Sequence, residues 1–235
     1  MEQQLHSPDR IQRSSRKGSR SWRDPGAWLR EKKLSRGFWV FFTAAFFFDC
    51  GFAAYFFLFN LYLLDFHFNE RAIGLIGGAF AMGSVVGTLP AGLLARRIGV
   101  RPVLIVCYIA APICGALRVV MMGEMVQIGF ALFAGLTMCA SGVCSLPAVA
   151  RLTTEENRAS AFALIYSTSI GTSMLGGVVC GYLPQWLRTA GFVIQAVQVK
   201  RLILLASCGI AAIGLLALLR LQLLSPEREL SLIHI

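Results

Sequence analysis

The sequence predicts an all-α membrane protein with six transmembrane helices, and three observations carry that class. The first is balance. Of 235 residues, 56% are hydrophobic and 14% charged, with mean hydropathy +0.66, too little charge to cover a soluble surface of this size. The second is run length. Six apolar stretches each exceed about 18 residues, and roughly 20 residues rising about 1.5 Å each cross a hydrocarbon core. The third is punctuation. The sharpest polar break, residues 92–101 (GLLARRIGVR), sets three arginines between two apolar runs. The runs are too long for barrel strands and lack their period-two alternation. An unpaired strand in lipid would also leave its backbone groups unsatisfied.

The chain opens with a basic tail, residues 1–36. Ten of its residues are Lys or Arg, against Glu2, Asp9, Asp24 and Glu31, and this supplies much of the net charge of +10. It is too long and polar for a secretory signal. It reads as a cytoplasm-retained tail that sets orientation. Trp22, Trp28 and Leu29 leave open an interfacial segment on anionic lipid. No recognisable nucleic-acid-binding fold accompanies the charge, so nucleic acid is not an expected partner.

The expected spans are 37–64, 72–95, 102–122, 125–150, 159–187 and 201–224, together a six-helix domain over 37–224. The first carries Asp49 among Phe46, Phe47, Phe48 and Phe52. A carboxylate there must face a wet cavity, find a partner or stay protonated. Asn60, close to three turns on, shares its face. Asp49 and Asn60 are therefore candidates for proton coupling or substrate contact, with structural hydrogen bonding, or an interfacial position from a shifted span, as the alternatives for Asp49. The second span carries Gly74, Gly78, Gly83 and Gly87, a small-residue pattern suited to close helix packing. In the third, Arg118 is expected to snorkel to the headgroups or pair with Glu124, a substrate-anion contact being the alternative. Gln127, Ser141 and Ser145 lie within about one face of the fourth span. Tyr166, Ser169, Ser173 and Gly177 form a stripe on the fifth. Gln127, Tyr166, Ser169 and Ser173 complete the candidate set, as residues that line a solute path or only pack helices.

Orientation follows from Lys and Arg in the loops. With the tail inside, the inner loops carry Arg96, Arg97 and Arg101, then Arg151 and Arg158. The outer loops carry Arg71, then Arg188, Lys200 and Arg201, so the last outer loop is an exception. The expectation is a multi-pass protein of the cytoplasmic (inner) membrane with both termini inside. Gly87-Thr88-Leu89-Pro90 and Gly181-Tyr182-Leu183-Pro184 fall at equivalent positions if the spans form two three-helix repeats of opposite orientation.

The absences are specific. All seven cysteines lie in apolar runs without metal-ligand spacing, so neither metal nor disulfide is indicated. His6, His67 and His234 lie outside the spans, which leaves an intramembrane Ser-His hydrolase unsupported. Cys139-Ala140-Ser141-Gly142 lacks the first glycine of a nucleophile elbow. No phosphate-binding G-x-x-x-x-G-K-[ST] loop occurs. An enzyme, a cofactor and an ATP-driven motor are not expected.

The 92–101 segment resembles the signature loop of the major facilitator superfamily, G-x-x-x-D-R/K-x-G-R/K-R/K. Gly92, Arg97, Gly99 and Arg101 match. Arg96 stands where the family usually has aspartate, and Val100 where it often has a base. Asn60-Leu61-Tyr62-Leu63-Leu64 with Phe68-Asn69-Glu70, and Thr154-Glu155-Glu156-Asn157-Arg158, are also similar to bacterial members. The resemblance implies the amino-terminal half of a secondary transporter working by alternating access on a small-molecule substrate. It also implies a carboxyl-terminal six-helix half, against which the small faces of the second and fifth helices pack. The family's aspartate is thought to face the amino end of a helix in that other half, where negative charge is favoured; Arg96 would be repelled there. Thr172-Ser173-Met174-Leu175-Gly176-Gly177 keeps only the double glycine of the family's antiporter motif, so drug–proton antiport is not inferred.

Residues 225–235 form a short tail. Its last six match a reading frame of a sequencing adapter, so the chain is expected to be a fragment with an artefactual end from about 230. The alternatives are a natural six-helix module transporting as a homodimer, or a non-transporting scaffold subunit.

Overall fold

A computed structural model describes residues 34–189 and 196–223. All regular structure among them is helical. The six helices are α1 (Arg36–Asp65), α2 (Glu70–Ile98), α3 (Val100–Val120), α4 (Glu124–Leu152), α5 (Glu155–Thr189) and α6 (Ala196–Leu223). Each is long and apolar enough to cross a bilayer, as the sequence predicted. Residues 1–33 of the basic tail and residues 225–235 lie outside the described residues.

Local chemistry sets the helix ends. Ser35 caps α1 by accepting from the Phe38 amide at 3.1 Å. Asn69 caps α2 through Ala72 at 2.7 Å, with Glu70 in the first turn and Arg96 and Arg97 in the last. These charges complement the helix dipole. The arginine-rich break is shorter than expected. Gly92, Arg96 and Arg97 are helical, Arg101 already belongs to α3, and the connection is the single residue Gly99. Its φ of +94° and ψ of 160° suit glycine and strain any residue with a Cβ.

The helices run alternately up and down, and three ties fix their ends. At one face Ser35 Oγ donates to the Leu152 carbonyl at 2.8 Å, joining the start of α1 to the end of α4. At the other, Tyr62 donates to the Val119 carbonyl at 3.1 Å, joining the ends of α1 and α3. There too Lys200 pairs with Asp65 at 2.7 Å, joining α1 to α6. Lys200 therefore corrects the loop reading: it lies inside α6, and its charge is met by a carboxylate.

In packing, α2 lies chiefly on α4, α1 on α6 and α5, and α3 on α4 and α6. Exchanging α1 with α4, α2 with α5 and α3 with α6 maps this pattern onto itself. The α2–α4 contact becomes α5–α1, α1–α6 becomes α4–α3, and α3–α6 is unchanged. The result is two three-helix repeats. The tetrapeptide echo obeys the same exchange. A Cβ built on Gly87 would stand 3.0 Å from Leu136 of α4, and one on Gly181 would stand 4.0 Å from the Phe57 ring of α1.

Two expectations change here. The small face of α2 is not reserved for another half. Gly83 and Gly87 are used against α4, where backbones meet, whereas Gly74 and Gly78 have open space beside them. Arg118 does not snorkel. It is 4% exposed, its guanidinium lies 4.3 Å over the Phe59 ring, and its Nε donates to Gln127 Oε1 at 3.2 Å. It sits in the last turn of α3, where the helix dipole favours a cation and replaces the need for a carboxylate.

Candidate coupling and substrate site

Asp49 lies midway along α1 and is half-buried. Its carboxylate lies within hydrogen-bonding reach of the Ser169 hydroxyl on α5. Helix packing brings the two together. One turn beyond Asp49 is Ala53, and two turns beyond Ser169 is Gly176. A Cβ on Gly176 would stand 2.9 Å from that of Ala53, so the missing side chain lets α5 close on α1 at this height. Ser173 donates to the Ser169 carbonyl at 2.9 Å. It therefore belongs to the stripe on α5 but spends its hydroxyl within the helix.

A third group completes the surroundings. Tyr108 on α3 is buried, stacks on Phe48 with ring centroids 4.2 Å apart, and lies within electrostatic range of Asp49. Sequence reasoning missed it. The available signal was modest: Tyr108 is the one tyrosine in the third run, whose other polar residue is Arg118.

The remaining candidates separate. Asn60 is exposed on the Asp49 stripe of α1, but eleven residues place it about 16 Å further along the helix. Tyr166 is 55% exposed one turn before Ser169, with its ring beside Phe162 at 6.5 Å. Gln127 is fully buried, and its side-chain hydrogen bonds run to Arg118 of α3 and to Met121, the residue that caps it. Its Nε2 donates to the carbonyls of Arg118 at 2.6 Å and Met121 at 2.7 Å, and its Oε1 accepts from Arg118. Gln127 is thus the clasp of the α3–α4 hairpin rather than a wall of a solute path. Ser141 and Ser145 on α4 also bond back, to the carbonyls of Met138 and Ser141.

The signature residues form a second locality, at the face shared by the start of α1 and the end of α4. Arg96 and Arg97 are exposed, and Arg101 is half-buried. Beside Gly92 nothing within this unit would obstruct a Cβ. Among the described residues no cluster of three or more His, Cys, Asp or Glu is placed to hold a metal ion.

These two localities can be set beside known proteins. A comparison with curated proteins finds no match. Residues 41–232 match the family model of the Major Facilitator Superfamily. The match spans both repeats, the Asp49–Ser169 pair and the arginine-rich connection. A transporter family, six membrane-length helices and an inverted-repeat packing agree, and the chain belongs to the Major Facilitator Superfamily.

Proposed function

We propose that this six-helix unit is half of a secondary active transporter of the cytoplasmic (inner) membrane. It moves a small solute by alternating access against a second six-helix unit, with Asp49 coupling transport to proton movement. The observation that carries this reading is the Asp49–Ser169 contact. A carboxylate at mid-membrane is retained at a cost of several kcal/mol. Here it lies between α1 and α5, a crossing in which α5 is little buried. Ionised Asp49 accepts from Ser169. Once protonated it gains a donor and loses its charge, which weakens the bond from Ser169 and with it the α1–α5 contact. A proton thereby biases one packing of α5 over another, the differential interaction that any ligand-driven shift requires.

The second unit is the partner that suits α2 and α5. Leu75, Met82, Val85, Leu89 and Leu93 of α2, and Ile170, Met174 and Val178 of α5, are exposed. Both termini are read as cytoplasmic. Arg96, Arg97, Arg101, Arg151 and Arg158 gather at the face where α1 starts, whereas among described residues the opposite face carries Arg71, Arg118, Arg201 and Lys200, the last neutralised by Asp65. This asymmetry supports the positive-inside orientation.

The test is reconstitution of this unit, together with the second six-helix unit it works against, into proteoliposomes carrying an internal pH dye and challenged with a panel of neutral, anionic and cationic small solutes. At least one solute is expected to drive proton movement, and Asp49→Asn to abolish it while the protein still elutes as a single folded species. Proton movement that persists in Asp49→Asn would remove the coupling role. If no solute moved protons or exchanged across the membrane, the transport reading of this unit would fail.

A further inference from the structure

The transport reading calls for a second six-helix unit, and the face left open to it carries a charge pattern. Four helices form a row: α2 packs on α4, α4 touches α1, and α1 packs on α5. The other two, α3 and α6, pack on α4 and α1 and on each other. So α2 and α5 end the row. On α2, Leu75, Met82, Leu89 and Leu93 recur at seven, seven and four residues, which is one helix face, and all are exposed. Arg96 and Arg97 close that stripe in the last turn and are exposed too. On α5, Ala163, Ile170 and Met174 form the corresponding exposed stripe. Glu155 and Glu156 open it in the first turn, also exposed.

These charges lie at one level. α2 ends, and α5 begins, at the face where α1 starts. The two ends of the row are therefore opposite in sign at the same side of the membrane. At the outer end of α2 there is no such bias, because Glu70 and Arg71 stand side by side. Anionic lipid headgroups would suit the arginines but be repelled by the glutamates. A protein partner carrying both signs suits both ends.

This chain is itself such a partner. A two-fold axis along the membrane normal keeps the arginine-rich face of both copies on one side, as a fixed topology demands. It also reverses the row, so α2 of one copy faces α5 of the other and α4 faces α1. The interface is isologous, with the same contact made twice. Gly78 and Gly92 of α2 have open space beside them, which gives a facing helix room to approach. We propose that the second unit, granted the transport reading above, is a second copy of this chain. Arg96 and Arg97 of each copy meet Glu155 and Glu156 of the other, at the inner ends of two apolar stripes.

Light scattering of the purified 235-residue chain in neutral detergent gives its protein mass, and a dimer is expected. Two charge reversals isolate the contact: Arg96→Glu with Arg97→Glu, and Glu155→Arg with Glu156→Arg. Each alone sets like charges together at both contacts and weakens dimerisation at least about tenfold. Mixed one to one, the two variants regain the dimer, because acid again meets base at each contact. That recovery also shows that both variants fold. Raising salt weakens the wild-type dimer, since exposed pairs are screened; if a variant fails to fold, this response decides alone. A monomeric wild-type chain, including one that retains phospholipid, overturns the proposal. So does a dimer indifferent to salt, or a mixture of folded variants no more dimeric than its parts. Those results leave the transport reading standing, because solute-driven proton movement judges that separately. A dimer that moves no solute would defeat the transport reading and leave the interface.

Discussion

The α2–α4 and α5–α1 crossings are equivalent under the exchange of repeats, yet they are built differently. In α2–α4 backbone meets backbone. A Cβ on Gly83 would collide with the Leu132 carbonyl oxygen, and one on Gly135 with the Phe80 carbonyl oxygen. Ser84 donates to the Gly135 carbonyl at 3.2 Å, and Thr88 Oγ1 lies 3.1 Å from Cys139 Sγ. In α5–α1 the nearest contacts are side chains, with backbone further off. Gly176 meets the Ala53 methyl, and Gly177 and Gly181 meet the Phe57 ring. In their most apolar windows, 22% of α2 but only 6% of α5 is buried. One topology thus supports a welded crossing and a lighter one. The carboxylate lies at the lighter one, where helices can re-pack at small cost.

Four substitutions probe that contrast. The largest effect is expected for Gly135→Leu, which forces α4 away from α2 and costs about 3 kcal/mol or more, the upper range for overpacking. It should appear as loss of monodisperse protein in a detergent thermal-stability assay. A stable Gly135→Leu protein would show that α2–α4 is not the tighter crossing. Asp49→Asn should leave that assay nearly unchanged while flattening the pH dependence of transport. Its effect on coupled flux should be about tenfold or more, equivalent to ~1.4 kcal/mol.

Gln127→Ala should have an intermediate effect. It removes the partner of the Arg118 Nε and of the Arg118 and Met121 carbonyls, costing about 1–3 kcal/mol of stability, without changing solute binding. A selective loss of binding in Gln127→Ala would return this residue to the solute path. The smallest effect is expected for Gly181→Ala, because its Cβ would sit at ordinary contact distance from Phe57. A melting shift as large as that of Gly135→Leu would erase the distinction between the crossings.

The site was legible in part, for physical reasons. Asp49 stands out in any apolar run because its charge is so costly there. Ser169 was visible as one member of a polar stripe, but nothing in the stripe distinguished it from Ser173. The distinction rests on which hydroxyl reaches α1 and which bonds back within α5. Gln127 had the look of a wall residue because helical periodicity reports a shared face, not what that face meets. Arg118 had the look of a snorkelling residue because linear spacing cannot show a ring such as Phe59, fifty-nine positions away, closing over it.

By itself, the sequence determined the helix count, the alternation of the spans, the family and the one carboxylate at mid-membrane. Those follow from hydropathy, run length and local motif, which act over a few turns of chain. The tertiary structure decided the rest: the reduction of the arginine-rich break to Gly99, the burial of Arg118, the clasp formed by Gln127 and the partner of Asp49. Each depends on contacts between helices far apart in sequence. Such contacts are set by where a missing side chain lets two backbones approach, and no single helix records that.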